Sequence, residues 1–377
     1  MPVTETVPVS VWTFDPRPQS KGPAELRGGI AVSADELWAV GSAADPDSGR
    51  SSALVGRWTT RDFGFVTPAA ADQEVRLCAV DHAGEDVWAV GWISDGDEGG
   101  RPRIERYSRQ PVSSGVAVDG PARDQNSALH GVVMLSASQG WAVGGSGPSS
   151  DADFTQTLIA RWDGRDWQEV PSPSPGTRTN RLDAVSALSA DDVWAVGHST
   201  SGDMSEALVL RWDGSAWTRM PTPDLADGIE LLDVAVVGED SVWAVGTSVP
   251  DPKATKPWRQ LAVVLHWDGL SWRSVLPEMV AVTQMSSVAA VSETDVWFAG
   301  YAKAPGGSET AHVEHWDGKQ LRAEESGVAN QGDLASALEG ICAAGGRVMA
   351  VGWHIPTSAS SKVQQPGALF RRGGDSV

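Results

Sequence analysis

The chain has 377 residues, 41% of them hydrophobic and 21% charged, with 41 glycines, 23 prolines and a formal net charge of −20. So acidic a balance excludes holding nucleic acid or an anionic membrane through the general field of the chain, because both need basic surface. Two cysteines, Cys78 and Cys342, exclude a disulfide framework.

From the N-terminus, Met1-Pro2-Val3-Thr4-Glu5-Thr6-Val7-Pro8 carries neither the basic nor the apolar stretch of a secretory leader. No later run approaches the roughly 18 apolar residues of a membrane helix, so a cytoplasmic chain is expected. Residues 9–18, which include Ser10-Val11-Trp12-Thr13-Phe14-Asp15, read as a strand with no partner before it. A phrase then begins to recur: Leu37-Trp38-Ala39-Val40-Gly41, Val87-Trp88-Ala89-Val90-Gly91, Gly140-Trp141-Ala142-Val143-Gly144 and Val193-Trp194-Ala195-Val196-Gly197. It continues as Val242-Trp243-Ala244-Val245-Gly246 and Val296-Trp297-Phe298-Ala299-Gly300, and degenerates to Val348-Met349-Ala350-Val351-Gly352. The successive spacings are 50, 53, 53, 49, 54 and 52 residues, the period of a propeller blade.

Each unit holds four strand-like runs, A to D from the inside outward. An apolar run such as Leu182–Leu188 is strand A, and the phrase is strand B. Strand C ends in Arg-Trp-Asp-Gly at Arg161–Gly164 and Arg211–Gly214, or in the His variant at His266 and His315. Strand D carries another Trp and runs into Pro, as at Trp167–Pro171. The Asp-Gly pair predicts a two-residue hairpin that sets Trp162 opposite Arg165, with Trp162 and Trp167 diagonal on one face. The closing slot of strand C reads Trp58, Tyr107, Trp162, Trp212, Trp267, Trp316 and Arg372. The C-terminal run Ala368–Gly374 copies a strand C with no strand D after it, so residues 9–18 are expected to supply one. The expectation is an all-β chain, residues 1–377 forming one seven-bladed β-propeller domain of four-stranded antiparallel blades. The N-terminal strand would complete the last blade and close the ring.

In this arrangement the B–C and D–A loops share one face and vary in length, so a ligand is expected there. Fifteen of the eighteen tryptophans belong to the repeat; Trp92, Trp258 and Trp353 lie in B–C loops. The residue after each phrase-ending glycine includes Trp92, His198, Tyr301 and Trp353, and His354 follows. These six residues are the predicted ligand contacts, for a small molecule, glycan or peptide. The second residue of each A strand reads Arg27, Cys78, His130, Asp183, Asp233, Ser286 and Glu339. His130, Asp183, Asp233, Glu339 and Arg27 could instead serve a cofactor-independent lyase, cyclase or hydrolase through proton transfer and anion stabilisation. No metal ligand set and no cofactor is expected, with calcium or magnesium left open. His312-Val313-Glu314-His315 fails as a metal motif, because residues three apart on a strand point to opposite faces. A monomer is expected.

The units resemble Trp-rich bacterial seven-bladed propellers over essentially the whole chain. The Trp-Asp pair closing strand C is similar to WD repeats, without their Gly-His pair and shorter period. The Gly140–Gly144 type of phrase and the strand D Trp are similar to Asp-box and tectonin propellers. Only Gly144-Gly145 matches the doublet of kelch repeats. The resemblance implies a fold, and no family's catalytic residues fall on matching positions.

Overall fold

The computed structural model describes residues 12–15, 17–69, 74–94, 100–121, 126–148, 154–223, 228–249, 260–275, 282–303, 307–324, 335–357 and 363–371. Every regular element among them is a strand, and the strands form seven four-stranded antiparallel sheets. The chain opens on β1 (Trp12–Asp15). Blade 1 is β2 (Ala24–Ser33), β3 (Glu36–Ala44), β4 (Ser51–Thr59) and β5 (Phe63–Phe65). Blade 2 is β6 (Val75–Ala83), β7 (Asp86–Ser94), β8 (Gly100–Ser108) and β9 (Val116–Val118). Blade 3 is β10 (Asn126–Ser136), β11 (Gln139–Gly147), β12 (Gln156–Trp162) and β13 (Trp167–Glu169). Blade 4 is β14 (Thr179–Ser189), β15 (Asp192–Ser201), β16 (Met204–Trp212) and β17 (Trp217–Arg219). Blade 5 is β18 (Gly228–Gly238), β19 (Ser241–Val249), β20 (Ala262–Trp267) and β21 (Trp272–Ser274). Blade 6 is β22 (Val282–Ser292), β23 (Asp295–Lys303), β24 (Glu309–Trp316) and β25 (Leu321–Glu324). Blade 7 is β26 (Ala335–Ala344), β27 (Arg347–Ile355) and β28 (Gln365–Arg371), and β1 pairs with β28 to complete it. The result is the expected seven-bladed propeller with the expected closure.

Two details differ from expectation. Trp162 lies directly opposite Trp167, so the C–D turn holds four residues rather than two. Only Gly164 takes a positive φ, +97°. Asp163 instead caps the turn, its Oδ1 accepting from the amides of Arg165 at 2.9 Å and Asp166 at 2.8 Å. The side-chain acceptor removes the need for a left-handed Asp, and Asp213, Asp268 and Asp317 repeat the arrangement. In the last blade Trp12 is opposite Arg371, so Arg371 and not Arg372 holds the closing slot of strand C.

The core is a series of aromatic plates between neighbouring blades. Each B-strand Trp meets the closing residue of the next blade: Trp38 meets Tyr107 at 6.0 Å, Trp88 meets Trp162 at 5.0 Å, and Trp141 meets Trp212 at 5.0 Å. Trp194 and Trp267 are 5.5 Å apart, Trp243 and Trp316 5.3 Å, and Arg371 stacks 4.3 Å over Trp297. The strand D residues Trp167, Trp217, Trp272 and Trp12 add a second ring to four of these contacts. The own-blade Arg or His before the closing slot covers each plate, as Arg211 does at 4.9 Å over Trp194 and His315 at 4.0 Å on Trp297. His266 and His315 are therefore scaffold, the latter held by Asp295 at 2.8 Å.

Glu36 joins blade 1 to blade 2. Burial alone would raise its carboxyl, but hydrogen bonds from Arg109, Trp38 and Arg57 outweigh that and hold it at about 2. A folded-state value below the unfolded one contributes stability that is present above pH 4.5 and lost as pH falls toward 2. Glu36→Gln is expected to lower stability at neutral pH by up to about 3 kcal/mol. It should also flatten the acid limb of a denaturation series measured between those pH values; an unchanged limb would show that Glu36 does not carry it.

Every inner strand slips register by one residue: at Leu26/Gly28, Leu77/Ala79, Leu129/Gly131, Leu182/Ala184, Leu231/Asp233, Met285/Ser287 and Leu338/Gly340. Such a bulge bends the strand and re-aims the extra side chain. It also brings the inner-strand backbone against strand B. A Cβ on Gly41, Gly91, Gly144, Gly197, Gly246, Gly300 or Gly352 would lie 1.9–2.1 Å from a carbonyl oxygen of that strand. The phrase ends in glycine because the bulge leaves no room for anything else.

Candidate functional site

The seven bulged residues are Arg27, Cys78, His130, Asp183, Leu232, Ser286 and Glu339. Groups from non-adjacent blades act on one another here: Arg27 of blade 1 bears on His130 of blade 3, and Arg181 of blade 4 bears on Cys78 of blade 2. These side chains therefore converge on the central channel. Asp233 is the exception to the predicted ring. In blade 5, Leu231 is opposite Gly246 and Asp233 opposite Val245, so Leu232 fills the bulge. Asp233 turns to blade 6 instead, its Oδ2 accepting from Ser287 Oγ at 2.6 Å and from the Val288 amide at 2.9 Å. Ser287 Oγ in turn accepts from the Ile341 amide at 3.1 Å, so Asp233 belongs to a tie across blades 5, 6 and 7.

On the B–C/D–A side the channel opens into a groove of about 460 Å³ over blades 1 to 4, lined by Arg27, Arg76, Trp92, His130, Phe154 and Arg181. A further 280 Å³ continues past Phe154 and Arg181 to His198 and Glu230. Arg76 Nη2 donates to Ser51 Oγ at 3.2 Å, and its guanidinium lies 5.5 Å from the Trp92 ring. Arg181 Nη2 is 2.6 Å from Asp183 Oδ1, and His198 Nδ1 is 3.7 Å from Asp183 Oδ2. Arg27 pairs with Glu25 at 2.7 Å. Burial pushes His130 down to about 3, with Arg181 and Arg27 adding to the effect, so its imidazole is neutral at physiological pH. Burial works to raise Asp183, but Arg181 first, then His198 and His130, lower it and keep it anionic.

Five buried atoms in this groove have no hydrogen-bond partner among the described residues: Arg76 Nε, His130 Nε2, Arg181 Nε, Asp183 Oδ2 and His198 Nδ1. Folded proteins pair nearly all such atoms. Asp183 Oδ2 and His198 Nδ1 face each other at 3.7 Å, which leaves the nitrogens of Arg76, His130 and Arg181 without a described partner.

The other predicted contacts sit apart. Trp353 reaches Glu339, which burial raises to about 7 against the pull of Arg27. Tyr301 is raised by its own burial and by Glu309 and Glu339. The channel mouth is thus split, with arginines over blades 1 to 4 and Glu25, Glu309 and Glu339 over blades 6, 7 and 1. His354 packs 4.8 Å from Phe14, on the outer side of blade 7. Trp258 lies outside the described residues. Among the described residues no three His, Cys, Asp or Glu side chains group as a metal site. Arg76 and Arg181 did not stand out in the sequence. The signal was one strand away: they face Trp92 and His198 across the A–B ladder, in a slot that varies from blade to blade as the strand B slot does.

No protein-family model matches the chain, and no curated protein matches it in sequence. Solved structures do. A structure of YCF48 bound to D1 peptide aligns with a TM-score of 0.59 at 13% identity, covering 98% of both chains. An acylaminoacyl peptidase from Pyrococcus horikoshii aligns with a TM-score of 0.54 at 11% identity, over 93% of this chain and 52% of the peptidase. An acylaminoacyl peptidase in complex with Z-Gly-Gly-Phe-chloromethyl ketone gives 0.52 at 11% identity, over 93% and 51%. At these identities the likeness is one of fold.

Proposed function

We propose that the chain is a binding propeller that holds a peptide with an acidic group in the groove over blades 1 to 4. The observation that carries this is the set of buried nitrogens without a described hydrogen-bond partner on Arg76, His130 and Arg181 around one groove. Arginine presents a planar fork to a carboxylate. Arg76 has only Ser51 and Trp92 as its described contacts, so its charge is available. Trp92 and Phe154 supply apolar surface beside it. The peptide in the aligned YCF48 structure supports a ligand of this class on a propeller of this shape. The lyase, cyclase or hydrolase alternative is weaker, because Asp233 leaves its acid/base set for a structural tie. Asp183 is in turn committed to Arg181.

The test is a calorimetric titration with a short glutamate-containing peptide and its glutamine counterpart. The acidic peptide is expected to bind more tightly and to weaken as salt is added. Arg76→Ala, which strands no buried carboxylate, is expected to cost about 10- to 100-fold in affinity, the worth of one charged hydrogen bond. Equal affinity for both peptides, or an Arg76→Ala variant that binds as before, would contradict the assignment.

A further inference from the structure

We propose that the junction of blades 7 and 1, on the face opposite the groove, is a binding site for an aromatic ring supplied from outside the chain. At the other six junctions a B-strand Trp faces the next blade, against an aromatic closing residue in five and Arg371 in the sixth. At this one the B strand carries Met349, which packs with Leu37 and Trp58 without presenting a ring.

Among the described residues, what stands there instead is a cleft of about 650 Å³ whose walls include Phe14, Leu37, Trp58, Met349 and Phe370. That size lies within the range of about 300–1,000 Å³ typical of sites for small organic ligands, which are mostly apolar with a few polar groups. Most of the rim charges are already paired; Arg371, which also lines the cleft, stacks on Trp297 and lies 4.0 Å from Glu324, but its buried Nε has no hydrogen-bond partner among the described residues. Asp15 accepts from Arg17 at 2.9 Å, Arg347 lies 3.5 Å from Asp35, and Glu36 is held by Arg57 and Arg109. The aromatic and apolar walls are left for a ligand, and the other junctions show what this fold accepts against such a wall: a flat ring, tilted or edge-on. The cleft lies on the other face from the groove and shares none of its residues, so it stands independently of the peptide assignment.

Indole and N-acetyltryptophanamide are the probes, read by calorimetry and by thermal shift of the full chain. Both are expected to bind saturably and to raise the melting temperature, since a ligand of the folded state stabilises it. Binding of the blocked amide but not of indole would assign the ring to a partner protein's side chain; the reverse would assign it to a small aromatic molecule. Met349→Trp restores the ring found at the other junctions. It is expected to raise the melting temperature without ligand and to weaken both probes by about tenfold or more. Thr60→Trp, at the exposed mouth of the cleft, is expected to weaken them likewise without touching the core. Probes that bind both variants as tightly as the parent, or that show no saturable binding to the parent, would overturn the proposal. So would a tenfold gain in affinity on removing residues 372–377, which would make the chain's own end the occupant.

Discussion

Replacing Gly197 with alanine is expected to cost about 3–5 kcal/mol of stability, at the upper end of single-residue effects. The added Cβ would stand 2.1 Å from the Arg181 carbonyl oxygen and 2.8 Å from the Leu182 Cα. Both are backbone atoms of β14, which is fixed to β15 by its ladder, so no side-chain rotation relieves the clash. The φ of Gly197 is not in the left-handed region; the requirement is for space alone. Because the same bulge carries Arg181 and Asp183, the substitution should also loosen the groove and weaken its ligand. Gly64→Ala is the control, with nothing within 4 Å of the added carbon. Chemical denaturation of the two variants tests the point, and equal stabilities would show that the inner-strand bulges are not rigid.

Removing residues 1–15 is expected to be at least as damaging. It deletes β1, the strand that pairs with β28 on its outer side. It also removes Trp12, 4% exposed and 6.1 Å from Trp297. Loss of a buried Trp side chain alone costs about 3–5 kcal/mol. The deletion further exposes β28 as an open edge, which invites association between molecules. A sharp fall in melting temperature with a rise in light scattering is the expected result. A variant that melts like the parent would mean that the ring does not depend on this strand.

The fold was legible in the sequence because the Trp-Ala-Val-Gly phrase marks one strand of every blade, and a seven-fold recurrence survives the loss of one Trp at Met349. The closure was legible because the two half-blades at the ends carry recognisable strand C and strand D patterns. The turn chemistry was misread at Asp163, since a dipeptide cannot show whether Asp will use its backbone or its carboxylate to close a turn. The bulge was invisible for a related reason. It adds one residue to an inner strand, and in blade 5 the consecutive Leu231-Leu232 give no sign of which one is extra. Asp233 was thereby aligned with the bulged residues of the other blades, whereas Leu232 fills that position and Asp233 faces blade 6. Of the predicted contacts, Trp92 and His198 do line the groove, whereas Trp353 and Tyr301 stand with the acidic half of the channel. Arg76 and Arg181 carry no mark in the sequence, because only the paired strands set them opposite Trp92 and His198.

Amide hydrogen exchange of the full chain, with and without the glutamate-containing peptide, tests the groove most directly. Slowed exchange concentrated in β6, β7, β10, β14 and β15, the strands that carry Arg76, Trp92, His130, Arg181 and His198, is the predicted result. Protection confined to blades 5 to 7 or to the opposite face, with those five strands unchanged, would contradict it.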